Sequence, residues 1–265
     1  MPNVLTLIPC NFYQNIVKFK CMANNFKKEI IDFFIPPKCA VCKELADHLV
    51  CDKCRADFIP IAAPYCKKCG TPLDIGAAHD FICADCREKN WHFSAAISAG
   101  VFTGTLRDAI LNLKYDDMVR TLAKDLAQFM MENIDFPDNV DYITPVPLHK
   151  KSENMRGYNQ SLLIAMHLGK YLKIPVVADM LKKVHDTPMQ HFLTREKRAN
   201  INRAFEANVK LEGENIAIVD DVFTTGMTAN ACARALKRVG AGEIYILSAA
   251  RAVPRELIIK YKEKK

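Results

Sequence analysis

The 265-residue chain contains no window approaching the run of roughly 18 apolar residues that a membrane-spanning helix requires, so no such span is expected. Its opening, MPNVLTLIPCNFYQNIVKFK, has no cationic segment ahead of the apolar residues, because Lys18 and Lys20 come after them. That argues against a cleaved secretory signal and for a cytoplasmic location. A second methionine, Met22, begins MANNFKKEIIDFFIPPKCAVC, and translation is expected to start there. The chain also lacks G-x-x-x-x-G-K-[ST] and G-x-G-x-x-G, which removes a Walker loop and a dinucleotide fingerprint from consideration. Nor is charge extreme. Charged residues make up 25% and hydrophobic ones 50%, an ordinary globular balance that argues against disorder. A net charge of +7 permits phosphate-bearing ligands or nucleic acid without establishing either.

Cysteine, by contrast, is abundant and ordered. Of the 11 cysteines, Cys39, Cys42, Cys51, Cys54, Cys66, Cys69, Cys83 and Cys86 form four consecutive C-x-x-C pairs. Each pair places two thiolates where they can meet one tetrahedral metal, and two pairs complete a Cys₄ site. Disulfides would need the oxidising context that the missing leader argues against, and redox use of one pair would not call for four in series. Two structural zinc ions are therefore expected. Sequential pairing and a crossed arrangement both satisfy the spacing. Gly70, after the third pair, is free to take the positive φ such a knuckle often needs. Within residues 36–91 the charged side chains cancel, eight basic against eight acidic. Eight thiolates with two Zn²⁺ then leave the module negative by about four charges. It is accordingly expected to act as a folding staple or protein-docking module before a nucleic-acid reader. Cys10, Cys21 and Cys232 need no role beyond apolar filling.

Three regions follow: an extension over 1–35, the zinc module over 36–91, and a larger domain over 92–265. In the last, SAAISAGVFTG reads as a strand, and TLRDAILNLKY and MVRTLAKDLAQFMMENI as amphipathic helices. VDYITPVPL reads as a short strand stopped by Pro145 and Pro147, YNQSLLIAMHLGKYL as a helix, and IPVVADML as a strand. The polar, basic stretch from Lys182 to Arg203, with an excess of four positive charges, predicts a long loop or hairpin. NIAIVDD, TANACARALKRVG and EIYILSAAR then predict strand, helix and strand. This alternation predicts an α/β fold with a parallel sheet and helices on both faces.

The segment IAIVDDVFTTGMT carries the chemistry. Ligands of such sheets sit at the carboxyl ends of strands, where Asp220 and Asp221 fall. Thr224, Thr225, Gly226 and Thr228 then turn into a helix whose first N–H groups and dipole favour an anion. Carboxylates for hydroxyls or a metal, beside a phosphate cradle, match a ribose 5-phosphate. An Asp or Thr ahead of a helix is also a routine N-cap, so the pair alone is weak and the ordered segment is what discriminates.

This segment closely resembles the phosphoribosyl-pyrophosphate (PRPP) motif of type I phosphoribosyltransferases. With ITPVPLHKKSENMRGYNQSLLIA, LTREKRANINRAF, GVFTGTLRDAILNLKY and the cysteine pairs, the chain from about residue 30 to 251 resembles the ComF (competence protein F) family. The resemblance implies that Asp220 and Asp221 bind the ribose hydroxyls directly or through Mg²⁺. It implies that Val222, Phe223, Thr224, Thr225, Gly226, Met227 and Thr228 form the PRPP loop, with Thr224 to Thr228 holding the 5-phosphate. The turn around Leu148 to Lys151 would be the pyrophosphate loop, with His149, Lys150 and Lys151 supplying positive charge. Arg156, Asn159 and Gln160 belong to an R-G-[FY]-N-Q signature. Residues 186–203 would be a mobile loop in which Arg195 and Lys197 are the cations closing over PRPP. Transfer at C1′ would pass through an oxocarbenium-like state, with Mg²⁺ and cations stabilising the leaving pyrophosphate. Hypoxanthine-type enzymes carry a carboxylate where this chain has Thr224, which argues against salvage of a 6-oxopurine.

Three functions fit this resemblance: a PRPP-binding protein of natural competence that handles single-stranded DNA, an active phosphoribosyltransferase with an unknown acceptor, and a PRPP-sensing regulator. In the third the zinc module would serve for partner docking, and the partners expected at that module are competence or DNA-processing proteins. Residues 92–265 carry a net +5, and Tyr158, Phe192 and Phe205 lie near basic residues, which is compatible with single-strand binding but equally with core packing.

Overall fold

The computed structural model describes residues 38–73, 81–115, 121–184 and 204–263. Its elements in chain order are α1 (Asp52–Ala56), α2 (Ala84–Glu88), β1 (Ala95–Val101), α3 (Gly104–Tyr115), α4 (Leu122–Asn133), β2 (Tyr142–Pro145), α5 (Lys150–Arg156), α6 (Gln160–Leu172), β3 (Leu181–Lys183), β4 (Phe205–Ala207), β5 (Ile216–Phe223), α7 (Met227–Arg238), β6 (Ile244–Arg251) and α8 (Arg255–Glu263).

Four strands pair in the order β1-β6-β5-β2, and every pairing is parallel. A strand covered on both faces must be apolar almost throughout, which is why β5 reads IAIV before its acids. Ala217 and Val219 join one core with Ile110 and Leu113 of α3, Leu126 and Met130 of α4, and Ile164 and Leu168 of α6. Ile216 and Ile218 join the other, with Ala231, Cys232 and Leu236 of α7. The α/β architecture with helices on both faces is therefore as the periodicity predicts. α7 is closed by Gly240, whose φ of +101° and approach to the Leu211 carbonyl leave no place for a side chain.

The cysteine-rich segment straddles one edge of this sheet. Cys39, Val50, Cys54 and Phe58 pack into the α3–α4–α6 core, whereas Cys66, Cys69 and Cys86 pack into the α7 core. Between them the chain runs antiparallel along β1: Ile61 N–H donates to the Ala99 carbonyl at 3.0 Å and Val101 N–H to the Ile59 carbonyl at 2.8 Å. The free edge of β1 is thus covered by the linker between the two cysteine clusters.

Two elements differ from expectation, the strand over 174–181 and the pyrophosphate turn, while the basic stretch is framed by the antiparallel pairing that a hairpin requires. Residues 174–181 do not form the expected strand; they touch β2 through one parallel bridge, Ile143 to Val176, because Pro175 offers no N–H to extend the ladder. β3 instead pairs antiparallel with β4 through Leu181–Ala207 and Lys183–Phe205, forming the base of a hairpin whose intervening residues 185–203 lie outside the described residues. The expected pyrophosphate turn runs on into the short helix α5, ended by Gly157 at φ +69°. The extension over 1–35, with Met22, Cys10 and Cys21, also lies outside the described residues.

Gly100 of β1 marks the tightest point under the linker. A Cβ there would stand 2.7 Å from Leu106 Cδ2 and 2.9 Å from the Ile59 carbonyl. Gly100→Ala is expected to destabilise the fold by about 1–3 kcal/mol, the usual cost of overpacking, read as a lowered denaturant midpoint at unchanged slope.

Candidate functional site

Parallel strands deliver their ends to one rim of the sheet, and here the ends of β5 and β2 converge with the first turn of α6 and the last turn of α3. Asp220 Oδ1 accepts from the Asp221 N–H at 2.9 Å and from Ser161 Oγ of α6 at 3.2 Å. Asp221, buried to 4% exposure, forms an ion pair with Lys114 Nζ of α3, itself largely enclosed. Burial pushes the Asp220 carboxyl well above the ordinary carboxylate range, and the Asp221 charge beside it adds to that; Lys114 offsets part of the rise. The two like charges are thus held by a hydroxyl, a backbone N–H and one ammonium.

Beyond them Val222 and Phe223 are buried, so only their backbone faces the rim. Thr224, Thr225 and Thr228 are exposed, Met227 is half-buried, and Gly226 takes φ +77° as the residue preceding α7. Thr225 Oγ1 accepts weakly from the Met227 N–H at 3.5 Å. The turn therefore presents hydroxyls and first-turn amides to solvent beside the carboxylates.

The R-G-Y-N-Q stretch acts as a brace. Tyr158 is buried and donates its hydroxyl to the Leu113 carbonyl, next to Lys114. Asn159 donates from Nδ2 to the Val146 carbonyl past β2 at 3.0 Å, while its Oδ1 accepts from Ser161 N–H at 2.9 Å and caps α6. Arg156 Nη1 donates to Gln160 Oε1 at 3.2 Å. Lys150 and Lys151 are exposed at the start of α5, with His149 as its N-cap. Arg195 and Lys197 lie outside the described residues.

Lys114 and Ser161 were not singled out from the sequence. A lone lysine ending an amphipathic helix carries no signal in its spacing. Ser161 directly follows the signature, and only the fold shows that it reaches Asp220.

The cysteines form two quartets in sequential pairing: Cys39, Cys42, Cys51 and Cys54, then Cys66, Cys69, Cys83 and Cys86, each with its sulfurs within 4.8 Å of one another. Cys42 and Cys51 sulfurs lie 3.7 Å apart, and Cys69 and Cys83 sulfurs 3.8 Å, close to the ~3.8 Å edge of a tetrahedron with ~2.3 Å Zn–S bonds. Gly70 takes φ +66°, as expected, and Lys43 takes φ +64° at the matching place in the first knuckle. Burial raises the Cys39 thiol, but donated backbone N–H groups from Cys51, Cys42 and Val41 bring it down to about 6. Cys54 and Cys86 are pushed up, first by burial and then by the sulfurs around them. Four sulfurs so crowded, some favouring the thiolate and others opposing it, suit a bound dication, and the donor set selects zinc.

Comparison with known proteins agrees with this arrangement. Residues 30–89 match the model of the double zinc ribbon domain. The chain is 29% identical to Competence protein F of Haemophilus influenzae over 81% of its own length and 97% of that protein. It is 28% identical to the DNA utilization protein YhgH of Salmonella typhimurium over 83% and 99% of the two chains, and 25% identical to Competence protein ComFC of Bacillus subtilis over 73% and 80%. The resemblance to the ComF family read from the motifs is thereby borne out over most of the chain. Among solved structures, adenine phosphoribosyltransferase from Saccharomyces cerevisiae is similar at 20% identity and a TM-score of 0.32, covering 57% of this chain and 76% of that one. Glutamine PRPP amidotransferase from B. subtilis is similar at 21% identity and 0.36, covering 49% and 26%.

The electrostatics of the acid pair give two expectations for the ligand-free protein. Asp220→Asn removes a carboxylate whose folded pKa is raised, so it is expected to stabilise the fold at pH 8. That gain should shrink as pH falls through the raised pKa of Asp220, where Asp220 itself takes a proton. Lys114→Met leaves Asp221 buried without its partner and is expected to cost about 3 kcal/mol near neutrality. Melting temperatures of both variants across about pH 5–8 check the signs.

Proposed function

We propose that the rim formed by β5, the turn into α7 and the start of α5 binds PRPP, or another ribose 5-phosphate ligand, with Mg²⁺, and that the chain serves natural competence by handling single-stranded DNA in the cytoplasm. The observation that carries the reading is the adjacency of a braced carboxylate pair and an exposed hydroxyl-rich turn opening a 12-residue helix. A vicinal diol matches the first, and the phosphate on C5′, two carbons beyond the one bearing the 3′-hydroxyl, matches the second. The relatives' names, Competence protein F and DNA utilization protein, support the cellular part.

Each side chain then has a task. Asp220, half-buried and oriented by Ser161, accepts from a ribose hydroxyl. Asp221 is engaged by Lys114, so the pair meets the sugar with one charge already balanced. Thr224, Thr225 and Thr228 donate to the 5-phosphate alongside the first amides of α7, and Gly226 lets the backbone close on it. Lys150, Lys151 and Arg156 lie on the helix that follows β2 and favour a diphosphate, as would Arg195 and Lys197 from the basic loop. Mg²⁺ brought with PRPP would be held from the protein side by Asp220 and would supply charge neutralisation to the diphosphate. Thr224 is exposed and neutral, which leaves the turn without a carboxylate to address a 6-oxopurine. The zinc ribbons would dock competence or DNA-processing proteins.

PRPP with Mg²⁺ at a hundred times its Kd is expected to add about 2.7 kcal/mol, raising the melting temperature by about 5–10 °C. The shift should vanish in Asp220→Asn/Asp221→Asn, and no shift at millimolar PRPP would defeat the ligand reading. Pyrophosphate release across a panel of bases and amines separates turnover from binding. For the DNA part, single-strand affinity should fall steeply with salt, and a flat dependence would count against it.

A further inference from the structure

Gly226 is glycine for a reason that involves the second zinc ribbon. A Cβ at this position would meet Phe223 Cζ at 2.7 Å and Trp91 Cη2 and Cζ3 at 3.0 Å. Phe223 belongs to β5, but Trp91 belongs to the segment leaving the ribbon, five residues after the ligand Cys86. The Trp91 and Phe93 rings lie 5.0 Å apart, and Phe93 meets Phe223 edge-on at 6.0 Å. Phe223 and Trp91 therefore form the floor of the phosphate turn with Phe93 packed against both, and two of these three rings come from the ribbon side.

The same segment is pinned to the first turn of α7. Asn230 Oδ1 accepts from the His92 N–H at 2.7 Å, and Asn230 Nδ2 donates to the Asn90 carbonyl at 3.1 Å. A second path runs through Arg251, buried at the end of β6 and paired in register with Phe223. Its Nη2 donates to Cys69 Sγ at 3.5 Å, and its Nε donates to Thr71 Oγ1 at 2.9 Å. Thr71 Oγ1 is in turn 3.1 Å from Cys69 Sγ. The Arg251 guanidinium also lies 4.7 Å from the Phe223 ring centroid. A zinc with four thiolates carries a net charge of about −2, for which a buried guanidinium is the natural counter-charge. The first ribbon has no comparable route to the turn among the described residues. It rests on α3 and α4, through Asn112 Nδ2 to the Ala40 carbonyl at 2.7 Å, Val50 N–H to Asp125 at 3.2 Å and Arg55 to Glu132 at 2.7 Å.

We infer that the Cys66/Cys69/Cys83/Cys86 zinc site positions the phosphate turn, with Arg251 and Trp91 as the positioning residues, and that sugar phosphate at the turn and zinc at this second site stabilise one another. The turn as the ligand's phosphate site rests on the reading above. The mutual stabilisation does not require turnover, because linkage is reciprocal for binding.

The test compares full-length Cys42→Ser, which removes a ligand of the first site, with Cys83→Ser, which removes one of the second. Metal analysis verifies the loss of one zinc from each. Trp91, the chain's single tryptophan, reports the floor of the turn by its emission, and amide exchange over residues 224–230 reports the turn itself. Cys83→Ser is expected to speed that exchange and move the emission to longer wavelength without any ligand, while Cys42→Ser leaves both as in the wild type. Ribose 5-phosphate should bind Cys83→Ser about tenfold more weakly and should slow chelator removal of the second zinc alone. Should Cys83→Ser not fold, Arg251→Lys decides: it keeps the charge but not the fork, and should loosen 224–230 with both zincs retained. Unchanged exchange in Cys83→Ser and Arg251→Lys, or equal loosening in Cys42→Ser, would overturn the inference. Failure of the wild type to bind ribose 5-phosphate sinks the sugar-phosphate reading instead, and the ligand-free readouts still decide the coupling.

Discussion

Two adjacent carboxylates at the end of a strand buried on both faces are mutually repulsive and poorly solvated, and much of the surrounding architecture answers that constraint. Asp221 is met by Lys114 from α3, and Asp220 by Ser161 from α6. Those two partners are placed by Tyr158, which ties the start of α6 to the end of α3, and by Asn159, which ties it to the chain leaving β2. Strand, helix ends and loop are thus fitted around one unfavourable charge pair. Keeping such a pair lowers the stability of the fold, because burial and the neighbouring charge both oppose ionisation of Asp220.

The zinc ribbons belong to the same construction. Each supplies apolar and polar contacts to a different face of the sheet, the first to the α3–α4 side and the second to the α7 side. Small zinc modules have too little core to hold a docked position by burial alone, and the metal supplies the missing rigidity. Anchoring on the larger domain then makes them part of its core, because Cys54 and Phe58 pack with Phe129, Leu126 and Met130.

Much of this was legible in the sequence because it is periodic or local. The four C-x-x-C pairs, the apolar run before Asp220 and the three- and four-residue spacing of α3, α4, α6 and α7 all carry their signal within a few residues. What escaped depended on long-range placement. Lys114 and Asp221 are far apart in sequence and meet only because α3 ends over β5. The choice between sequential and crossed cysteine pairing needed three-dimensional proximity. Trp91 ends the cysteine-rich module, and nothing near it in sequence announces a contact with Gly226. The strand expected at 174–181 failed for a local reason that was visible, Pro175, whose effect depends on which neighbour the segment approaches.

The linker between the ribbons has a consequence for assembly. Residues 59–61 occupy the outer side of β1, and at the opposite margin β2 is met by the Val176 bridge beside Pro175. Neither margin offers a continuous row of backbone donors and acceptors, so a second molecule has no template on which to add a strand. Among the described residues, self-association by adding a strand to the four-stranded sheet is thus disfavoured at both of its margins.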